Sequence, residues 1–285
     1  MRAADEMTFA VAGRTIAGKR WRGGGRPTMA LHGWLDNAGS FDALAQGLSE
    51  LDIFAMDFAG HGHSDPRRAD VGYWGWLDIQ DVLAVADALG WGRFTILAHS
   101  MGAEYSTQLV ALYPERVDVQ ICIDGWVEAT PVSNVLDAVR ENLDTCLQTS
   151  TGNLRVFASL ADMAERLVEA KAIDHSGAMK LVKRGHKKVA DGYVWSTERR
   201  IRATHTQRHS DEVVLAFAER TRAPTLLLRG SDGEHWFDHS IDLVRNVLPV
   251  FEELVIEGPH HLHMGEAVPE IVAEVTDFIE RNSPD

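Results

Sequence analysis

Ser100 stands in the run Phe94-Thr95-Ile96-Leu97-Ala98-His99-Ser100-Met101-Gly102-Ala103, where apolar, β-prone residues lead into small-x-Ser-x-Gly and then into a helical pattern. A strand that passes through a serine straight into a helix must turn sharply, which leaves the hydroxyl exposed at a sheet edge beside a helix N-terminus. Small residues flank such a turn because larger ones clash; the first here is Ala98, where glycine is commoner. Ser100 is therefore a candidate nucleophile rather than an ordinary N-cap serine. A hydroxyl needs a base to take its proton, and the base needs a carboxylate to orient it. Gly258-Pro259-His260-His261-Leu262-His263-Met264 supplies the base: His260 is preferred because the two residues before it form the expected turn, with His263 packed behind. Two acids satisfy the order serine, acid, histidine. Asp232 lies in the loop after the next-to-last predicted strand, and Asp124 ends the strand Ile121-Cys122-Ile123-Asp124; the sequence leaves the choice between them open. A metal site on the clustered histidines is the weaker alternative, because no carboxylate pattern accompanies them.

Acyl chemistry also needs backbone N–H groups aimed at a developing oxyanion. His32-Gly33-Trp34 directly after a predicted strand supplies one from Trp34, and Met101, at the start of the helix after the serine, supplies the other. His32, Gly33 and His99 then border the pocket. Of the eight tryptophans, Trp34, Trp126, Trp195 and Trp236 fall near strand ends and loops that should line an aromatic, mostly apolar cleft. Trp21, Trp74, Trp76 and Trp91 are expected in the core.

Those positions require a scaffold. Predicted strands over 8–12 and 14–20 form an opening hairpin turned at Gly13, and short apolar strands follow at 28–31, 53–58, 94–98, 119–124, 225–228 and 253–256, alternating with helical patterns. That alternation predicts an α/β fold with a mostly parallel central sheet flanked by helices. Residues 128–206 break it, with helical spacing at Leu136, Val139, Leu143 and Leu147 and at Leu160, Met163, Leu167 and Val168, and hardly any strand signal. The expected organisation is a core of 1–127 and 207–285 with a helical lid, or cap, at 128–206, inserted before the last two strands.

Composition excludes more than it names. Over 285 residues, 42 acidic against 28 basic side chains give a net charge of −14, which would repel nucleic acid and anionic membranes alike. The longest apolar runs are too short to span a bilayer, and acidic residues precede any apolar stretch at the N-terminus. Cys122 and Cys146 are expected as buried or inert thiols, which suits a cytoplasmic setting. Lys180, Lys183, Arg184, Lys187 and Lys188 form a basic cluster, expected as a solvated lid face rather than a site for an anionic acyl or phosphate group.

Taken with Met56-Asp57-Phe58-Ala59-Gly60-His61-Gly62-His63-Ser64, the segments around His32, Ser100 and His260, and Lys183-Arg184-Gly185-His186-Lys187-Lys188-Val189-Ala190-Asp191-Gly192, the chain resembles the α/β-hydrolase superfamily and within it the serine hydrolase-like proteins, over roughly 8–279 and with motif order preserved. The resemblance implies a serine nucleophile at Ser100, a base at His260 and acyl-ester chemistry on a small molecule, without a cofactor or metal. Asp57, His61, His63 and Ser64 would brace the site from below. It does not imply one substrate. A cofactor-free dioxygenase of a hydroxyquinolone-like heterocycle, using His260 with Asp124, is an alternative expectation, and so is a non-catalytic ligand-binding relative.

Overall fold

The computed structural model describes residues 2–149, 155–203 and 208–282. In chain order the elements are β1 (Asp5–Val11), β2 (Arg14–Trp21), β3 (Arg26–Leu31), α1 (Leu44–Gly47), β4 (Leu51–Met56), α2 (Gly75–Ala88), β5 (Phe94–His99), α3 (Met101–Leu112), β6 (Val117–Ile123) and α4 (Val132–Thr149). They continue with α5 (Leu160–Lys171), α6 (His175–Gly185), β7 (His186–Val189), β8 (Gly192–Trp195), α7 (Asp211–Arg220), β9 (Thr225–Asp232), α8 (Asp238–Val244), β10 (Phe251–Pro259) and α9 (Val268–Asn282).

Eight strands form one sheet in the order β1-β2-β4-β3-β5-β6-β9-β10. The opening hairpin and its junction with β4 are antiparallel, and every pair from β4 to β10 is parallel. Alternate residues of the central strands feed opposite faces. Met29, Leu31, Ile96 and Ala98 pack with Ile79 and Val82 of α2 and Leu109 of α3, while Ala30, Leu97, Ile121 and Ile123 pack with Leu44 of α1 and Ile271 and Phe278 of α9. Burial on both faces is why these strands are continuous apolar runs rather than alternating ones.

Between β6 and α7 the chain leaves the sheet. Phe157, Met163, Leu181 and Val182 form a separate small core there, closed by Met264 from the loop after β10. The expectation of helix with hardly any strand fails at β7 and β8, which pair as an antiparallel hairpin. Its strands are four residues each, and exposed Lys187 and Lys188 on β7 left no apolar alternation to detect. The apolar face predicted for α4 is solvent-exposed, with Leu136 at 80% and Leu143 at 60%. The side chains of Leu147 and Cys146, and the expected boundary at 206–207, lie outside the described residues. Trp74 and Trp76, expected in the core, are each 58% exposed at the N-terminal end of α2. Among the described residues no helix is long and apolar enough to cross a membrane.

Candidate active site

β3 has β4 on one side and β5 on the other, so the winding of the sheet reverses between β3 and β5. Loops diverge at such a reversal and open a crevice beyond the carboxyl ends of the strands. The loops after β3, β5, β6 and β10 carry Gly33 to Asp36, Ser100, Asp124 and His260 into that crevice.

Ser100 has φ 51° and ψ −117°, a left-handed conformation costly for any residue but glycine. Its neighbours explain why the turn tolerates only small residues. A Cβ on Gly102 would lie 2.3 Å from the Leu31 carbonyl oxygen, and one on Gly125 would lie 2.6 Å from Ser100 Cα. His260 Nε2 is 2.9 Å from Ser100 Oγ. The opposite ring nitrogen, Nδ1, is 2.6 Å from Asp124 Oδ2. Asp124 is buried with φ 43°, and its carboxylate also accepts from Gly230 N at 3.0 Å and Glu234 N at 2.9 Å. Of the two acids left open by sequence, Asp124 meets the imidazole. Asp232 does not: it is exposed at the end of β9, where it pairs with Pro259. The end of β9 and the loop after it turn backbone N–H groups, not this side chain, toward the site.

Behind His260 lies a buried polar cluster. The His99 ring is tilted against those of His260 and His263, centroids 4.7 and 4.1 Å away, and its Nε2–H donates to the His260 carbonyl at 3.0 Å. Burial lowers the pKa of His99 and His263 well below the usual imidazole value and lowers that of His261 as well, so it favours the neutral form of each ring. Asp36 accepts from Lys171 Nζ at 2.6 Å, and His261 Nε2 lies 3.3 Å from its other oxygen. Burial alone would raise the Asp36 pKa, but Lys171 and His261 hold it well below the ordinary carboxyl range. Lys171 also donates to the Trp34 carbonyl at 3.2 Å, so one side chain from α5 ties together the loops after β3 and β10. Nitrogen atoms of His99, His260 and His261 lie within 4.8 Å of one another. Both nitrogens of His260 are already engaged, so an ion would have to displace its contact with Ser100 or with Asp124.

A cavity of about 800 Å³ opens over Ser100 and His260, lined by Gly33, Trp34, His99, Trp195 and Trp236 among others. Two residues expected at its wall are elsewhere. His32 is fully buried: its Nε2 accepts from Phe58 N at 3.1 Å and its Nδ1 donates to the Gly33 carbonyl at 2.8 Å, so it pins the loop after β3 to the end of β4. Burial takes its pKa down to about 4, consistent with a neutral ring in both bonds. Trp126 is buried in the core against Phe251, ring centroids 5.8 Å apart, because the chain past Gly125 turns inward beside α7 and α8. The basic cluster is not one solvated face either. Arg184 is buried, with its Nε 2.8 Å from Asp57 Oδ2 and its Nη1 2.7 Å from Glu6. Asp57 in turn accepts from Ala38 N at 2.8 Å and His63 N at 2.9 Å, fastening the loop after β4 beneath the site.

A family-wide sequence profile described as alpha/beta hydrolase fold matches residues 29–267. The chain belongs to the α/β-hydrolase fold family. It is 30% identical to a serine hydrolase-like protein of Danio rerio, over all of this chain and 91% of that one. It is 31% identical to serine hydrolase-like protein 2 of Homo sapiens, over 95% of this chain and 92% of that one. A crystal structure of a hypothetical protein from Pseudomonas aeruginosa PAO1 superposes with a TM-score of 0.88 at 33% identity, covering 97% of this chain and 99% of that one. Family membership and fold class thus agree with the resemblance drawn from the motifs, and the coarse expectation of a hydrolase goes with them. Within the α/β-hydrolase frame, sequence reasoning passed over Asp36, Lys171, His261 and Gly233. Asp36 stands two residues after His32-Gly33-Trp34, where nothing in the sequence marks a role for it. Lys171 had no local signal, because its partners are more than 80 residues distant in sequence.

Proposed function

We propose that the protein is a serine hydrolase that cleaves a carboxylic ester or related acyl bond of a small substrate through an acyl-enzyme. The observation that carries this is the continuous chain of contacts from Asp124 through His260 to Ser100, at 2.6 and 2.9 Å, ending on a serine held at positive φ. Ser100 Oγ attacks the substrate carbonyl carbon and gives its proton to His260 Nε2, while Asp124 holds the ring through Nδ1–H and stabilises the imidazolium. The backbone N–H groups of Trp34 and Met101 receive the oxyanion, each worth on the order of 3 kcal/mol. The tetrahedral intermediate collapses, and the leaving group departs with the proton from His260. Water, deprotonated by the same imidazole, then attacks the acyl-enzyme; collapse returns the proton to Ser100 Oγ and releases the acid. Residues 128–206 act as a cap over this chemistry. Buried Cys122, a free thiol, is consistent with a cytoplasmic location.

The Asp124 and His260 pair on its own would also serve a cofactor-free dioxygenase, in which the serine is dispensable. A fluorophosphonate probe separates the two. It should label the wild-type protein and not Ser100→Ala, and the same variant should lose turnover of p-nitrophenyl esters. Labelling that persists in Ser100→Ala, or oxygen consumption with a hydroxyquinolone that survives the substitution, overturns the proposal.

A further inference from the structure

We infer that the cavity selects substrates carrying an anionic group, a carboxylate or a phosphate, away from the scissile acyl bond; this rests on the hydrolase proposal above. The chain carries a net charge of −14, yet among the described residues lining the cavity Arg155, Arg166, Lys171, Arg199 and Arg202 face only two carboxylates, Asp36 and Glu234. Lys171 is committed to Asp36 at 2.6 Å. The arginines arrive from three places: Arg155 ahead of α5, Arg166 on α5, and Arg199 and Arg202 on the turn after β8.

The run Arg199-Arg200-Ile201-Arg202 shows the division of labour. Arg200 donates to the carbonyls of Arg67 and Val71 and stacks over Tyr73, a structural role, while Arg199 and Arg202 line the cavity. Arg155 lies over the Phe157 ring at 4.9 Å, a contact that a guanidinium can make while its N–H groups serve a ligand. Arg166 meets Glu169 at 3.4 Å between exposed groups, a pair weak enough to be exchanged for a ligand anion. Planar forks of this kind match carboxylate and phosphate oxygens, and apolar walls such as Trp195 and Trp236 concentrate their field inside the cleft. The cationic lining, set beside those rings, suits an acyl compound with one apolar and one anionic part.

Two matched pairs test the inference. Mono-p-nitrophenyl adipate and p-nitrophenyl hexanoate differ by a carboxylate on the acyl side, whereas hexanoyl-coenzyme A and the hexanoyl thioester of N-acetylcysteamine differ by phosphates on the leaving group. The charged member of at least one pair should have the higher kcat/KM by about tenfold or more, with the advantage shrinking as salt is added. The pair that responds identifies the source of the anion. The triple variant Arg155→Gln, Arg166→Gln, Arg202→Gln should bring that ratio down about tenfold, and the triple Arg→Lys variant, which keeps the charges without the forks, should fall between it and the wild type. Ratios near one in both pairs, or a ratio unchanged by the triple Gln variant, overturn the inference. If no ester or thioester is turned over, the hydrolase proposal fails separately. Calorimetric titration of Ser100→Ala with adipate and with coenzyme A then decides the anion question: binding lost in the triple Gln background upholds it, and no binding overturns it.

Discussion

His260 directs Nδ1 to Asp124, 2.6 Å away, and not to Asp232, although both aspartates precede it in the order a triad requires. On the proposed mechanism Asp124→Asn should lower kcat on a short p-nitrophenyl ester by on the order of 10⁴-fold, because the amide presents the wrong partner to the ring. Asp232→Asn should change it by less than about threefold. Equal losses in the two variants would contradict the assignment.

Gly233 is coupled to the same acid. A Cβ there would sit 2.3 Å from Asp124 Oδ1, so Gly233→Ala must push the carboxylate away from His260. A displacement on the order of 1 Å at a catalytic group costs about 10²-fold in rate. The expected outcome is that loss in kcat with a far-ultraviolet circular dichroism spectrum like that of the wild type; unaltered kcat would show that the carboxylate has room to move.

Lys171 and Asp36 form a nearly buried pair, so removing one charge strands the other. Lys171→Met should lower unfolding free energy by about 3 kcal/mol, whereas Lys171→Met with Asp36→Leu should lose clearly less than the two single changes summed. Denaturant titration of the four proteins in the cycle measures the coupling, and strict additivity would mean that the pair contributes nothing.

Glu104 on α3 is fully buried with Oε1 unpartnered, and burial, helped by Glu128 and opposed by Arg208, pushes its pKa from 4.5 up to about 8. Below the ordinary carboxyl pKa both folded and unfolded chains hold the proton. As pH rises the unfolded chain releases it first, and stability falls until the folded protein also releases it near the raised value. Glu104→Gln, which mimics the protonated form, should therefore raise Tm by about a few degrees at pH 8 relative to wild type and leave little difference at pH 4. Scanning calorimetry at both pH values checks the sign.

The sheet was legible because parallel strands buried on both faces are written as unbroken apolar runs, and β5 running into Ser100 is the clearest of them. The contacts of Ser100 and His260 follow from motifs that lie at strand ends. What stayed hidden depends on distance along the chain. Choosing between Asp124 and Asp232 needs the direction in which the loop after β9 turns, and that turn is made with the Gly230 and Glu234 amides, which leave no side-chain signature. Trp126 and Trp236 are the same residue type in similar loops, yet one turns into the core and the other lines the cavity. Arg184 was hidden inside a lysine-rich run, because its partners Asp57 and Glu6 are 127 and 178 residues away.

The hydrogen bonds from Gly230 and Glu234 to Asp124 come from main-chain atoms, which every residue type but proline can offer. With the acid carried just after β6, the loop after β9 owes the proposed triad its backbone course and a glycine at 233, while the side chains of Asp232, Glu234 and Trp236 are released from that duty. Trp236 lines the cavity. This division lets substrate preference diverge on one rim of the cleft while the proton relay is inherited intact, and it marks positions 232, 234 and 236 as the place to begin randomised libraries aimed at new acyl groups.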